Sequence, residues 1–152
     1  MALPNIYTEQ GTNELIARIN QLSPITQRRW GKMNVSQMLA HCCVPYEQLL
    51  GERSDAPNAM MRFMMRTFFK GTMTNEIPYK PNLPTAPSFI IVDQRDFEKE
   101  KRRLIEYVKK PLELGELHFE NKHQLTLGKL NATQWNNMLW KHLDHHLRQF
   151  GV

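Results

Sequence analysis

Three of the six histidines in this chain, His142, His145 and His146, fall within Lys141-His142-Leu143-Asp144-His145-His146-Leu147-Arg148-Gln149-Phe150-Gly151. Their type and spacing suit metal chemistry. On a helix, positions four apart differ by about 40° in direction, so His142 and His146 project from one face within reach of a common ion. His142 and His145, three apart, form a second allowed pair. Counting by threes and fours from His142 and His146 leads back to Trp135, Met138 and Leu139 and forward to Gln149 and Phe150. The apolar stripe therefore runs into His142 and His146 and leaves His145 on its shoulder. Imidazoles on a buried stripe need partners, because an unpaired polar group in an apolar interior costs roughly 1–3 kcal/mol. A metal ion is one such partner. Backbone groups and water at the end of a helical bundle are the other.

A helix must carry these residues, and the pattern predicts one from Gln134 to Gln149, capped by Asn131 or Thr133. Four further helical stretches precede it. Leu15, Ile16, Ile19 and Leu22 mark a helix over Thr12 to Leu22, with Thr12 or Asn13 as its cap, and Ser23-Pro24 stops it. After the loop Arg28-Arg29-Trp30-Gly31-Lys32, Asn34 or Ser36 starts a second helix with Val35, Met38, Leu39, Cys42, Tyr46 and Leu49 inward, ending near Gly51. Asn58 to Lys70, closed by Gly71, is rich in methionine, for which filling an irregular gap in the core is the commoner use. Asp93 to Val108 presents Phe97, Leu104, Ile105 and Val108 inward and Lys99, Glu100, Lys101, Arg102 and Arg103 mostly outward, with Pro111 closing it. Between them, Pro78, Pro81, Pro84 and Pro87 make 72–89 an irregular crossing. The expectation is an all-α, four-helix bundle with one long crossover connection.

The second helix supplies a possible third ligand, His41, at the edge of its inward stripe. Pro45 lies four residues on and cannot donate to the His41 carbonyl, so a helix running through it should bend there. The bland alternative is a helix that merely wraps its neighbour. If His41 faces His142 and His146, three neutral imidazoles leave positions open for water or substrate, a catalytic layout rather than a closed structural one. Gln149 shares the face of the histidine pair and would support it. Imidazole suits zinc, nickel, iron and copper alike. His118 and His123 read as loop residues, although His123, just ahead of the last helix, is within range of the site. Asp144 points away from the stripe, and no catalytic acid or base is assigned.

Composition narrows the function classes. A chain of 152 residues, 41% of them hydrophobic, can bury a core as one domain spanning 1–152. No apolar run approaches the ~18 residues a membrane span needs, and Met1-Ala2-Leu3-Pro4-Asn5-Ile6 has no signal-peptide pattern. A cytoplasmic location is the default expectation. Adjacent Cys42 and Cys43 diverge by about 100° on a helix and suit a reducing compartment; Cys42 belongs to the core, and Cys43 is the candidate for a reactive thiol. The net charge of +5 is spread along the chain without interleaved aromatics, which argues against nucleic acid. No phosphate loop, nucleophile elbow or H-E-x-x-H helix occurs.

The segment Trp30-Gly31-Lys32-Met33-Asn34-Val35-Ser36-Gln37-Met38-Leu39-Ala40-His41, with His142 to Gly151 and with Gly128-Lys129-Leu130 ahead of the last helix, resembles the DinB/YfiT-like superfamily and, within it, the DUF1569 group. The resemblance implies a bundle of four helices, often dimeric, holding a divalent metal through one histidine of the second helix and an i, i+4 pair of the last. Residue by residue these are His41, His142 and His146; His145 and Gln149 are expected beside them, and zinc or nickel is the expected ion. Relatives include S-transferases that use low-molecular-weight thiols, and an isomerase. Two function classes follow. One is a metalloenzyme, a thiol transferase or hydrolase acting on a small electrophilic substrate. The other is a non-catalytic bundle whose metal serves stability or sensing.

Overall fold

Side-chain caps set where most of the helices begin. Thr8 accepts from the Gly11 backbone N–H and starts α1, Glu9–Asn20. The expected caps Thr12 and Asn13 lie inside that helix instead: Thr12 is buried and donates to the Ile6 carbonyl. Asn34 and Gln37 form a reciprocal capping box at the head of α2, Val35–Leu49, and Asn131 and Gln134 do the same for α6, Ala132–Gln149. Asp96 caps α5, Phe97–Leu114. Pro111 does not close α5 as expected, since one proline removes a single i to i−4 bond, and the helix runs on to Gly115 at φ +78°. The computed structural model describes residues 2–152, mostly helical with a small two-stranded sheet. That sheet pairs β1, Lys122–Gln124, antiparallel with β2, Gly128–Leu130, with His123 opposite Lys129.

The core forms where α2 and α1 pack on α5 and on α6. Leu15 and Ile19 of α1 meet Met38, Leu39, Cys42 and Tyr46 of α2, Leu104 and Val108 of α5, and Trp135, Leu139, Leu143 and Leu147 of α6. Trp135 also donates from its indole to the Lys122 carbonyl, fixing the hairpin against α6. One expectation for α5 fails. Glu100 does not face solvent but is 3% exposed, ion-paired with Arg103 at 3.0 Å and Arg95 at 3.5 Å, while Arg103 reaches Glu47 of α2 at 3.1 Å.

The methionine-rich stretch departs further from its reading. It is an interrupted helix made of α3, Ala59–Met64, a π-helical turn, Met65–Phe69, and α4, Lys70–Thr74, so Gly71 does not end it. Most of it stays out of the core, with Met60, Phe63 and Phe68 73%, 67% and 68% exposed, while Met65 and, farther on, Met73 pack against it. The physical reason is its anchoring. Arg66 and Lys70 donate to the Thr126 and Lys129 carbonyls of the hairpin, which ties the stretch to the protein surface and leaves most of its apolar side chains exposed. Asn137 and Lys141, one turn apart on α6, hold the Thr74 and Thr72 carbonyls at its end. The chain then crosses from 75 to 96 with only a short 3-10 turn, Pro87–Phe89. Among the described residues no helix is long and apolar enough to cross a membrane.

Candidate metal centre

The packing of α2 against α6 brings His41, His142 and His146 together, one ligand atom from each lying within 4.8 Å of the others. His41 and His146 are buried and His142 is partly accessible. The crossing segment covers them. Phe89 sits edge-on to both His41 and His142, with centroids 5.7 Å and 6.1 Å away, and Tyr79 meets His145 at 5.9 Å.

Hydrogen bonds decide which nitrogens are free. His41 Nδ1 lies 2.8 Å from the Phe89 carbonyl, which can only accept, so Nδ1 carries the proton and Nε2 the lone pair. For His146 the argument runs through Gln149. The Trp30 carbonyl must receive the Gln149 amide N–H at 2.7 Å, so the Gln149 oxygen faces His146 Nδ1 at 2.8 Å and accepts its proton. His146 Nε2 is thereby also left with its lone pair. His142 Nε2 stands 3.0 Å from His41 Nε2 and, because the latter holds the lone pair, donates its N–H to it; a cation bound there would take the place of that proton. Two imidazole nitrogens on one tetrahedral zinc, each at about 2.0–2.1 Å, lie roughly 3.3 Å apart, so this spacing fits a shared ion. Such hydrogen bonds from the far ring nitrogen are what commonly orient metal-binding histidines.

Electrostatics keep the rings neutral. Burial is the largest cause of lowered proton affinity in all three: His41 falls below the usual imidazole value, His146 to about 3, and His142 well below it, with the neighbouring imidazoles adding repulsion in each case. A neutral imidazole is the form that binds a cation.

Other expected residues fall elsewhere. His145 is not one of the three, but it lies beside them as expected, edge-on to His146 at 5.0 Å, packed against Trp30 and Tyr79 and bonded to the Tyr79 backbone. His118 and His123 are exposed and outside it. Asp144 points away, as expected, and pairs with Arg18 of α1 at 2.9 Å. Cys43 is buried and donates to the Leu39 carbonyl, with burial pushing its thiol up to about 12, which removes the reactive-thiol reading. Helical periodicity carried no sign of Phe89, Tyr79, Trp30 or Gly31. Gly31 alone could have drawn notice: at φ +82°, a Cβ there would lie 2.4 Å from the Gln149 amide nitrogen, so side-chain bulk would displace the support of His146.

Two cavities of about 260 and 240 Å³ lie elsewhere, one lined by Arg28, Ser36 and Arg95 and the other by Tyr7, Glu76 and Asn136. Neither is lined by the three histidines. No curated protein and no solved structure gives a significant match to the chain. One family profile does match, described as a protein of unknown function, DUF1569, and it covers residues 7–151, a span that holds all three histidines and the residues that orient them. The chain therefore belongs to the DUF1569 family.

Proposed function

We propose that this protein is a metal-dependent enzyme in which His41, His142 and His146 hold one divalent cation, zinc or nickel, with open positions for substrate. The observation that carries this reading is the pair of Nδ1 hydrogen bonds, to Phe89 and to Gln149, that commit two Nε2 lone pairs to the same small space. When bound, such an ion retains its charge among three neutral imidazoles and acidifies a coordinated water or thiol. Around it the chain supplies shape and dryness. Phe89 covers His41 and His142, and Gln149 prevents His146 from turning. The cluster contains no carboxylate among the described residues, and His142 is its partly accessible member. The chemistry that fits is thiol transfer or hydrolysis on a small electrophilic substrate, with a low-molecular-weight thiol as co-substrate. On this reading the four long helices are a four-helix bundle of the DinB/YfiT-like kind, working in the cytoplasm.

A second reading has an observation of its own. Neither cavity opens on the histidines, and the aromatic cover over them suits a metal retained for stability or sensing. The two readings share a first test, elemental analysis of protein purified without a histidine tag, beside His41→Ala and His142→Ala. Near-stoichiometric metal in the parent and loss in both variants is expected. Absence of metal after loading with zinc and with nickel would overturn both readings. Turnover of electrophiles with small thiols, present in the loaded parent and absent from the variants, then separates enzyme from stabilised bundle.

A further inference from the structure

The crossing segment that covers the histidines is firmly held at its ends and lightly held between them. Tyr79 is fixed: its hydroxyl donates to the Met73 carbonyl, Lys141 Nζ stands 4.5 Å over its ring, and its backbone bonds to His145. At the other end Asp93 accepts from Gln37 at 3.3 Å and pairs with Arg95 at 2.9 Å. From Lys80 to Pro87 every residue is exposed, and Pro81, Pro84 and Pro87 deny that run the backbone donors of a helix or sheet. It gathers into the 3-10 turn Pro87–Phe89, where two donors from the α2 side take adjacent carbonyls: Arg53 Nη2 reaches Ser88 at 2.6 Å and His41 Nδ1 reaches Phe89 at 2.8 Å. Among the described residues, none from 80 to 92 belongs to the apolar core, and Leu83, Ile90 and Val92 stand in solvent. A segment attached by a few hydrogen bonds opens at small cost. Neither cavity is lined by the three histidines, so room for a substrate there has to come from movement of this cover.

We infer that residues 80–92 are a lid over the histidines, hinged at Tyr79 and Asp93 and latched by Arg53, and that a cation bound at the histidines closes it. The coupling runs through one ring. A cation on His41 Nε2 draws electron density from the imidazole and makes Nδ1–H a stronger donor to the Phe89 carbonyl, and charge-assisted hydrogen bonds are roughly twice as strong as neutral ones. The closed lid therefore favours the cation by the same factor as the cation favours closure. Arg53 is a positioning residue: it sets the turn through Ser88, and is itself oriented by Asp55 at 2.7 Å and Glu47 at 3.5 Å. A substrate that reaches the ion displaces Phe89, whose ring lies edge-on to His41 and His142. This inference rests on the reading of His41, His142 and His146 as a metal centre.

The test uses the full chain with and without zinc. The Phe89 and Ile90 amides donate to the Ala86 and Pro87 carbonyls, bonds that so short a 3-10 turn keeps only while it rests on α2. Their hydrogen exchange in the parent chain, which needs no variant, is expected to slow about tenfold on loading with zinc. From Arg53→Ala a chelator is expected to extract zinc about tenfold faster than from the parent, whereas Arg53→Lys, which keeps a cationic donor, stays close to the parent. Exchange at Phe89 and Ile90 that zinc leaves unchanged would overturn the inference. So would extraction that Arg53→Ala leaves unchanged or that Arg53→Lys speeds equally. The metal centre stands in each of those cases. If the parent binds no zinc, the metal reading fails and this inference fails with it.

Discussion

Replacing Gln149 by leucine removes the acceptor for His146 Nδ1 and the donor to the Trp30 carbonyl in one step. Metal affinity is expected to fall about 10–100-fold, the usual consequence of losing a group that orients a ligand. Competition with a chromogenic chelator measures it, and an unchanged affinity would mean that Gln149 does not position His146. Gly31→Ala should act in the same direction, because its Cβ would press on the Gln149 amide and its φ of +82° suits glycine. The cysteines set the opposite expectation. Cys42 and Cys43 are buried, with their thiol pKa values raised mainly by burial, so neither should react with an aromatic disulfide reagent at pH 8 until the chain is unfolded. Titration of one thiol in the native state would contradict the placement of Cys43.

At the scale of elements, α2 and α5 are joined by charge as well as by apolar packing. Glu100 is shared by Arg103 and Arg95, and Arg103 continues to Glu47. Glu100→Ala is expected to cost about 2–3 kcal/mol in urea unfolding, less than the ~3–5 of a fully buried pair because both arginines remain near one-third exposed. A loss below half a unit of that scale would show that water replaces the carboxylate freely. Glu100 lies on a helix whose neighbours Lys99, Lys101 and Arg102 are charged, so periodicity could not single it out. Its burial follows from two arginines closing over it, one of them from outside the helix. The methionine-rich helix fails the same kind of inference: its composition says apolar, but Arg66 and Lys70 tie it to carbonyls of the surface hairpin, and of its own methionines Met65 packs against the core.

At the scale of the molecule, two properties follow. The imidazoles of the cluster resist protonation in the folded chain, whereas the unfolded chain takes up protons near pH 6.5. Their contribution to stability is complete above that value and is lost as pH falls through the window below it, which for His146 extends to about 3. Each excluded proton steepens the loss by about 1.4 kcal/mol per pH unit. Metal-free protein unfolded in urea between pH 7 and 4 should show this decline, and His146→Gln should flatten it. The second property is the outward face of the methionine-rich helix, where Met60, Phe63 and Phe68 stand in solvent with Met61, Met64 and Phe69 beside them. Contiguous apolar surface of this kind usually marks an interface, and a second copy of the chain is the proposed occupant. Sedimentation equilibrium should give twice the chain mass, and Phe63→Lys with Phe68→Lys should give the monomer; a monomeric parent would rule the dimer out.

The long helices, Asn34 and Asn131 among the candidate caps, and the common face of His142 and His146 were readable in the chain because helix geometry couples residues no more than four apart. His41 entered the cluster as a possibility, dependent on which face of α2 met α6. What orients the ligands was not readable. The carbonyl that fixes the tautomer of His41 comes from Phe89, 48 residues away, and the one that turns Gln149 comes from Trp30, 119 residues away. A backbone carbonyl is the same group at every residue, so no side-chain pattern announces which one will arrive beside a given imidazole. That is decided only when the crossing segment and the loop before α2 settle against the packed helices.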